Sequence, residues 1–325
     1  MAEMKAGYKQ TDIGIIPEDW DVITFNALAD PNDSHSITGG PFGSNLQSKD
    51  YTPKGIRIIQ LQNIGDGVFH DNYEIFTSTE KADELRSCNV YPGDIILSKM
   101  GDSVARAALV PSANARYLMC SDGIRLKVNK QRNSELYIFY YINFSLFRKL
   151  AEAASTGSTR KRIGLSDLRK LPIIAPQPKE QKQIAAALSD IDGLIEALSR
   201  LIAKKRDMKT AAMQQLLTGQ KRLPGFDGEW KSFALRDLAT IRNQKTNTLN
   251  NSIAQYCIEL ENIATESGSV LFSSDATGRK LTKYIFKKGD VLFGRLRPYL
   301  KKFWNAKCEG VCSTEIWPLM PLSND

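Results

Sequence analysis

The most constraining feature of this chain of 325 residues is an internal repeat, in which four short motifs occur twice in the same order. The pairs are IPEDWDVITFNALAD and FDGEWKSFALRDLAT around Trp20 and Trp230, QLQNI and ELENI, YPGDIILSKMG and KKGDVLFGRLR, and LMCSDGIRL and GVCSTEIWPL. The separation between paired motifs falls from 210 to 192 residues, so short length changes have accumulated between motifs that keep their order. This pattern is typical of a duplicated folding unit whose loops vary more than its elements.

The first copy has the pattern of a mixed α and β unit. Short apolar runs separated by Gly, Pro, Asn and Asp clusters predict strands. A helical pattern follows over residues 135–155, then Ser166 as a candidate N-cap and a return strand at 171–174. We therefore predict an α+β protein in which two repeat-related domains, residues 1–177 and 220–325, are joined by a long helix at 178–219.

The second copy ends sooner than the first. After Cys120 the first copy runs 97 further residues to Leu217, whereas only 13 residues follow Cys312, a difference of 97 − 13 = 84. The counterparts of the 135–155 helix, the return strand and the long helix would lie in that difference. We therefore expect the second domain to be truncated at its carboxyl end.

The predicted long helix carries a single apolar stripe with alternating steps of four and three residues. Its members are Ile184, Leu188, Ile191, Ile195, Leu198 and Ile202. Forty helical residues span about 60 Å, which is longer than one small domain can cover, so the stripe is expected to pack against a second helix as an antiparallel coiled coil. The second helix could come from this chain or a partner, including a second copy in a twofold dimer. The alternative is a helix packed wholly on its own two domains.

Composition excludes several classes of protein. The longest aromatic-rich run, at 137–147, is about half the ~20 residues that a membrane span needs, and the amino terminus has no apolar stretch typical of a signal peptide. Five cysteines without paired short spacings argue against a disulfide framework, and the two histidines lie far from Cys308 and Cys312, which argues against zinc. Cys120 and Cys312 occupy matching places, which favours small buried side chains on a strand. We expect a cytoplasmic protein without a bound metal.

The net charge of +8 is compatible with nucleic-acid binding but is unevenly distributed. Residues 1–177 carry 21 basic and 20 acidic side chains, residues 178–225 carry 9 and 5, and residues 226–325 carry 14 and 11. Any DNA-binding face in the first domain must therefore be local.

Three passages give the chain a resemblance to a known family. They are GYKQTDIGIIPEDW from Gly7, GSTRKRIGLSDLRKLPIIAPQPKEQKQIA from Gly157, and MQQLLTGQKRLPGF from Met213. Together with the helix and the repeat, they resemble the specificity subunits of Type I DNA restriction-modification systems over nearly the whole chain.

The resemblance implies a non-catalytic protein with two target-recognition domains, each reading one half of a bipartite sequence in double-stranded DNA. Long antiparallel helices would hold these domains a fixed distance apart and dock methyltransferase subunits. Those subunits would bind S-adenosylmethionine and methylate adenine, and separate restriction subunits would translocate and cut the DNA. No cofactor is expected in this chain itself.

Candidate DNA contacts in the first domain combine a glycine-rich loop, cations and amides. Backbone N–H groups of the GGPFGSN loop at 39–45 could approach phosphates, although a tight turn with Phe42 in the core is an equal alternative. Glutamines near a strand end could pair with adenine, whereas Asn63 is better interpreted as a turn-former because it recurs in both copies. The densest cationic cluster lies at 159–162. The predicted contacts are Gly40, Ser44, Asn45, Lys49, Arg57, Gln60, Gln62, Lys99, Arg106, Thr159, Arg160, Lys161 and Arg162.

The second domain offers a corresponding set. The predicted contacts are Arg242, Asn243, Gln244, Lys245, Arg279, Arg295 and Arg297. Arg295 and Arg297 are predicted to alternate on a strand and so to point the same way. The repeat-related Trp20 and Trp230 are expected to anchor the two cores rather than to stack on bases.

Other functions have weaker support. The sequence has no Asn-Pro-Pro-aromatic or Asp-Pro-Pro-Tyr run for amino-methyl transfer, no Walker A loop and no nucleophile elbow, and its two histidines leave few acid–base options. Two alternatives remain open: a coiled-coil scaffold without a DNA role, and a half-subunit that acts as a homodimeric DNA-binding module. Salt dependence of DNA binding would distinguish a scaffold from a DNA reader.

Overall fold

The computed structural model describes residues 6–101, 104–249 and 252–322. The chain divides into two compact units, Met1–Met208 and Lys209–Asp325, here called unit 1 and unit 2. Among the described residues, no helix is long and apolar enough to cross a membrane.

Unit 1 combines short strands with helices. Its strands are β1 (Tyr8–Thr11), β2 (Gly14–Pro17), β3 (Asp21–Thr24), β4 (Ile37–Gly39), β5 (Tyr51–Thr52), β6 (Ile56–Ile59), β7 (Phe76–Thr77), β8 (Asn89–Val90), β9 (Ile95–Ser98), β10 (Ala107–Leu109), β11 (Tyr117–Met119), β12 (Gly123–Leu126) and β13 (Pro172–Ala175). Its helices are α1 (Thr79–Glu84), α2 (Glu135–Asn143), α3 (Ser145–Ala153) and α4 (Leu165–Lys170), followed by the long α5 (Pro178–Leu216).

Two sheets dominate unit 1, with strand orders β10-β9-β12-β4 and β5-β7-β6-β11-β8. Strands β9, β11 and β12 are buried along their whole length, which explains why they appear in the sequence as continuous apolar runs. One core packs helices α2 and α3 on the first sheet through Phe25, Leu97, Ile138 and Phe147, and the other core lies around Tyr117.

Unit 2 is smaller and repeats the strand order of the first sheet and part of the second. Its elements are α6 (Leu235–Leu238), β14 (Ala239–Ile241), β15 (Lys245–Asn247), β16 (Cys257–Ile258), β17 (Thr282–Phe286), β18 (Val291–Gly294), β19 (Phe303–Asn305), β20 (Gly310–Cys312) and β21 (Ile316–Pro321). Its sheets have the orders β14-β21-β18-β19 and β15-β17-β20-β16. The order β19-β18-β21-β14 matches β10-β9-β12-β4, and the parallel pair β16–β20 matches β6–β11.

The repeated QLQNI and ELENI motifs form the same turn in both units. The Asn63 side-chain oxygen accepts a hydrogen bond from the Gln60 backbone N–H at 2.9 Å, and Asn262 accepts one from Glu259 at 2.7 Å. Both asparagines are fully buried. The prediction that Asn63 is a turn-former is therefore confirmed.

Several local predictions are wrong. The helix expected over 135–155 is divided into α2 and α3, because Phe144 between them has an extended backbone. The Asn143 side chain accepts a hydrogen bond from the Ala107 N–H and donates one to the Ala107 carbonyl, both at 3.1 Å. Ser166 is not an N-cap, since α4 already begins at Leu165 and Gly164 takes that place. The predicted return strand, in contrast, is confirmed with a shift of one residue, as β13 at Pro172–Ala175 paired with β3.

The two tryptophans expected to anchor the cores behave differently. The half-buried Trp20 donates its indole N–H to Glu180 in the first turn of α5 at 3.0 Å. Trp230 is 58% exposed, and the Arg222 guanidinium lies 5.7 Å from the centre of its ring. Core anchoring is therefore wrong for Trp230. Cys312 lies buried in β20, as expected, while Cys120 is half-buried just after β11.

The long helix begins at the predicted Pro178 and ends at Leu216, just before Gly219 in the left-handed region. At its start, Ala185 is buried and Ile184 packs against the core of unit 1. The next five members of the predicted stripe, Leu188, Ile191, Ile195, Leu198 and Ile202, are 38% to 57% exposed. Beyond Ile184 the stripe is therefore not part of the core of unit 1.

A buried aspartate in each unit binds an arginine that comes from a different strand. In unit 1, Asp94 accepts a hydrogen bond from Arg125 Nε on β12 at 2.7 Å. In unit 2 the equivalent Asp290 accepts two from Arg242, after β14, at 2.7 and 2.9 Å. In the strand register, Pro318 pairs with Leu292 as Arg125 pairs with the equivalent Ile96, so Pro318 stands where Arg125 does in unit 1. The guanidinium has therefore moved to the strand that faces it, while the buried carboxylate is kept.

Arg125 also bridges to Asp33 at 3.0 Å. Although partial burial opposes ionisation of Asp33, the His35 backbone N–H and the Arg125 charge together lower the pKa of this carboxyl below its ordinary value. The stabilisation is therefore present at neutral pH and is lost as the pH falls through the folded-state pKa.

We predict that Arg125→Ala destabilises unit 1 by about 3–5 kcal/mol, because it leaves the buried Asp94 without its charged partner. Thr38 lies directly opposite Arg125 in the register of β4 and β12, so adding Thr38→Arg should restore part of the loss, as the arrangement in unit 2 suggests. Urea unfolding, monitored by hydrogen exchange of the backbone amides in each unit, measures the free energy of unfolding of both variants.

Arg116→Ala is the matched control for this prediction, since its ion pair with Asp83 is solvent-accessible and should contribute less than about 1 kcal/mol. If the double variant Arg125→Ala with Thr38→Arg is no more stable than Arg125→Ala alone, an arginine on β4 does not replace the lost partner of Asp94.

Candidate nucleic-acid interface

Three segments that are far apart in the sequence meet at one surface of unit 1. The glycine-rich loop at 39–43, Lys99, Ser121, Asp122 and Arg162 line a cavity of about 530 Å³. This surface, called the loop face below together with the 156–162 hairpin that supplies Arg162, brings the predicted phosphate-binding loop and Lys99 to one member of the predicted cationic cluster.

The loop is held against the sheet by its backbone. Gly40 donates its N–H to the Gly123 carbonyl at 2.9 Å, which continues the pairing of β4 with β12. A Cβ atom on Gly40 would lie 1.7 Å from the Cys120 carbonyl oxygen, so only glycine fits there. The Asn45 N–H closes a turn onto the Phe42 carbonyl at 2.8 Å. Phe42 itself is 82% exposed, so the alternative in which it fills the core is wrong.

The cationic cluster forms the tip of a tight hairpin. Thr156 and Arg162 exchange backbone hydrogen bonds of 2.9 and 2.8 Å, with Gly157 in the left-handed region. The hairpin is joined to the end of β9, because Ile163 donates to the Lys99 carbonyl at 3.0 Å and Gly101 donates to the Lys161 carbonyl at 3.2 Å.

The cations of the loop face differ in how well they are neutralised. Arg162 bridges to Asp122 at 3.0 Å, and Lys161 bridges to Glu152, which lowers the pKa of that carboxyl. Both pairs are largely exposed, so little free energy opposes their exchange for phosphate contacts. Lys99 and Arg160 form no ion pair with any residue that the structure describes. They are therefore the best placed of the predicted contacts to meet a phosphate.

Two predicted DNA contacts, Arg57 and Arg242, have guanidinium groups that are already paired with carboxylates of their own unit, which argues against a role in DNA binding. Arg57 is 2% exposed, binds Asp71 and Glu74, and lies 5.6 Å from the centre of the Phe69 ring. Arg242 is held by the buried Asp290. Moving either guanidinium to a phosphate would leave a carboxylate unpaired.

The remaining predicted contacts of unit 1 lie in several environments. Arg106 is half-buried next to β10 and does not line the loop-face cavity. Five others are at the surface: Ser44, Asn45, Lys49, Gln62 and Thr159. Their role in DNA binding stays a prediction.

The two glutamines lie in different surface cavities. The half-buried Gln60 donates to the Tyr51 hydroxyl at 3.3 Å, in a cavity that shares Pro41, Ser121 and Asp122 with the loop face. Gln62 lines a cavity of about 400 Å³ with His70, Asn72 and Tyr73. Sequence reasoning did not select these last three residues, although HDNY at 70–73 is a short polar run that could have drawn attention to them.

In unit 2 the counterpart of Lys99 is Arg295. Lys99 follows β9 and donates its backbone N–H to the Asp122 carbonyl at 2.7 Å, and Arg295 follows β18 and donates to the Glu315 carbonyl at 3.0 Å. Both therefore occupy the same place in the duplicated sheet. The predicted alternation of Arg295 with Arg297 is wrong, because β18 ends at Gly294 and Arg297 has a left-handed backbone.

Other predicted contacts of unit 2 are exposed. Asn243, Gln244, Lys245 and Arg279 all lie at the surface. The Lys245 ammonium lies 5.2 Å from the centre of the Tyr284 ring, an arrangement in which it remains accessible to a phosphate.

Comparison with known proteins identifies the family. The Type I restriction modification DNA specificity domain matches residues 37–204, just over half of the chain. The chain therefore belongs to the family defined by that domain.

Individual relatives agree with this assignment. The Type I restriction enzyme MjaVIII specificity subunit of Methanocaldococcus jannaschii is 24% identical over 228 residues, 66% of this chain and 49% of the relative. The MjaIX specificity subunit of the same organism is 29% identical over 196 residues, 58% of this chain and 41% of the relative. The chain thus matches about half the length of these relatives, or less.

A solved structure shares the fold. The S subunit of a Type I restriction-modification system from M. genitalium superposes with a TM-score of 0.55 at 18% identity, over 94% of this chain and 73% of that one.

We predict that reversing the charges of Arg160, Lys161 and Arg162 to Glu weakens binding of duplex DNA without dissociating the assembled complex. Each lost phosphate contact should reduce the slope of log affinity against log salt by about 0.9. Filter binding across a salt series measures the slope.

The same reversal at Lys204, Lys205 and Arg206 on α5 is the control, because it changes the net charge equally at a distance from the loop face in sequence. Unchanged affinity of the 160–162 variant at moderate salt, or an equal loss in the control, would remove the hairpin from the interface.

Proposed function

We propose that this chain is the DNA-recognition subunit of a Type I restriction-modification complex and has no catalytic activity of its own. Each unit would contact one half of a bipartite target in double-stranded DNA. The loop face is the observation that carries this proposal: it collects a glycine-rich loop, Lys99 and the 156–162 hairpin from distant parts of the chain. Membership of the specificity-domain family supports the same function.

The duplicated sheets support a division of the target between the units. Lys99 and Arg295 occupy equivalent strand ends, and cations there suit the DNA backbone, which has the same chemistry whatever the sequence. The neighbouring loops differ: GGPFGSN follows β4 in unit 1, whereas RNQK follows β14 in unit 2. Side chains that differ between equivalent places are suited to reading unlike base sequences.

The exposed stripe of α5 would dock the catalytic partners. A continuous apolar face of this length is costly to leave in water, and helix-to-helix packing is the ordinary way to cover it. We propose methyltransferase subunits as the partners that share this helix, with S-adenosylmethionine bound in those subunits. Restriction subunits would join the same assembly.

A second candidate is a homodimer in which α5 packs antiparallel on the same helix of a second copy. The observation that favours it is the unbroken exposure of the stripe from Leu188 to Ile202. An antiparallel pair of identical helices has twofold symmetry, so each copy would contribute the same surface. The two candidates differ in mass and are separable by sedimentation.

The first test of the proposal is the methylome of a host that expresses the chain with its methyltransferase and restriction subunits. We expect adenine methylation at a bipartite motif, and its loss when the chain is omitted. The purified chain alone should neither methylate DNA nor cleave it after metal titration. Methylation that persists without the chain would refute a specificity role.

The helix supplies a second prediction. Replacing Ile191 and Ile195 by Glu should weaken association through α5 by at least about 100-fold, because each side chain contributes about 1.5–3 kcal/mol when buried. Sedimentation over a concentration series and co-purification with the methyltransferase subunit measure the loss of each partner.

Ala197→Glu is the matched control, since this residue lies on the same helix away from the stripe. If the stripe variants associate as tightly as the control, α5 is not the docking surface. A wild-type chain that sediments only as a monomer at all concentrations removes the homodimer and leaves the methyltransferase partner.

A further inference from the structure

Each unit presents one strongly exposed aromatic side chain close to cations. Phe42 is 82% exposed, more than any other large hydrophobic side chain in the described ranges, and Tyr299 follows in that order at 72%. An exposed apolar residue alone is ordinary. The surroundings of these two make them unusual.

Phe42 is presented by a stiff loop. Pro41 before it is buried, Gly40 is fixed against the Cys120 carbonyl, and the Asn45 N–H closes the turn behind it. The loop also lines the cavity that contains Lys99 and Arg162. An aromatic tip on a constrained loop loses little conformational entropy when a partner covers it, and cations that line the same cavity favour a polyanionic partner.

Tyr299 is presented by a strained turn. Pro298–Leu300 forms a short 3₁₀ helix, and the residues on either side, Arg297 and Lys301, have left-handed backbones with φ of 54° and 47°. Residues other than glycine rarely adopt this conformation, and such strain tends to be kept at functional sites. Arg295 and Arg297 are exposed beside the turn, and Lys301 bridges to Glu266. The turn follows β18, the strand equivalent to β9.

We propose that Phe42 and Tyr299 insert between stacked base pairs of duplex DNA, one from each unit, while the adjacent cations hold the phosphates. This inference rests on the proposed DNA-recognition function and adds a means of deforming the target. Apolar and aromatic wedges that partly unstack a base step are a general device of DNA-bending proteins, and aromatic rings stack on any base.

Insertion would also make recognition depend on how easily each sequence unstacks. Pyrimidine–purine steps deform more readily than others, so a wedge would favour targets with such a step beneath it, without hydrogen bonds to the bases. A protein partner on the same aromatics is the competing occupant, but the flanking cations favour DNA.

Relaxation of a closed circular plasmid by topoisomerase I, with the full chain bound, tests the insertion. An inserted side chain unwinds the duplex, so plasmid relaxed in the presence of protein should be negatively supercoiled after the protein is removed. We expect Phe42→Ala and Tyr299→Ala each to lower the linking-number change per bound chain by about half, and the double variant to abolish it. Filter binding sets every variant to equal occupancy.

Phe144→Ala in unit 1 and Phe272→Ala in unit 2 are matched controls, since both rings are exposed and lie outside the loop face and the 298–300 turn. Phe42→Trp should retain the shift. Circular dichroism checks that the variants fold, which their exposed positions lead us to expect.

The outcomes separate this inference from the proposed function. A wild-type chain that binds no plasmid at any salt concentration refutes DNA recognition itself. Binding without a topological shift, or an equal shift from the double alanine variant, refutes insertion and leaves recognition intact. An unchanged shift accompanied by loss of methyltransferase co-purification in the variants would assign the aromatics to a protein contact.

Discussion

The candidate interface depends on the antiparallel pairing of β12 with β9 and β4. That ladder places the 39–43 loop beside the end of β9, and the Lys99 carbonyl in turn receives the N–H of Ile163 after the cationic hairpin. No side-chain interaction is needed to collect the three segments, because backbone hydrogen bonds fix each of them. Side chains at the loop tips are therefore free to vary without loss of the framework, which suits a protein whose binding specificity lies in its loops.

The duplication shows which interactions the framework requires. Asn63 and Asn262 close the same turn, and Asp94 and Asp290 remain buried and paired, although their arginines come from facing strands. A buried carboxylate needs a partner but does not specify which neighbouring strand supplies it. The elements kept in both units are thus structural, whereas the loops after β4 and β14 share no sequence.

The sequence allowed the α+β class, the start of α5 and the strand motifs to be predicted, because these follow from periodicity and repetition. Burial of individual polar residues could not be predicted in the same way. Arg57 and Arg242 look like other surface cations in the sequence, and only the fold brings Asp71 and Asp290 to them. The exposure of Phe42 could not be predicted either, because a lone aromatic residue in a glycine-rich loop is equally compatible with burial in the core. The helix break at Phe144 arises from the tertiary contact of Asn143 with Ala107, which local propensity does not encode.

The long helix and the two recognition surfaces impose different physical demands on one chain. The proposed association through the apolar stripe of α5 would be non-directional and would scale with the area buried, so it would tolerate conservative changes in sequence. The proposed DNA contact at Lys99 and Arg160 would be electrostatic and would weaken with salt, so a few charges could tune it. Because the two interactions use separate residues, target preference can change through the loops while assembly through the helix is preserved. A duplicated sheet whose loops differ between the units, together with a separate helical surface, is therefore physically sufficient for the proposed role of supplying specificity to catalytic partners.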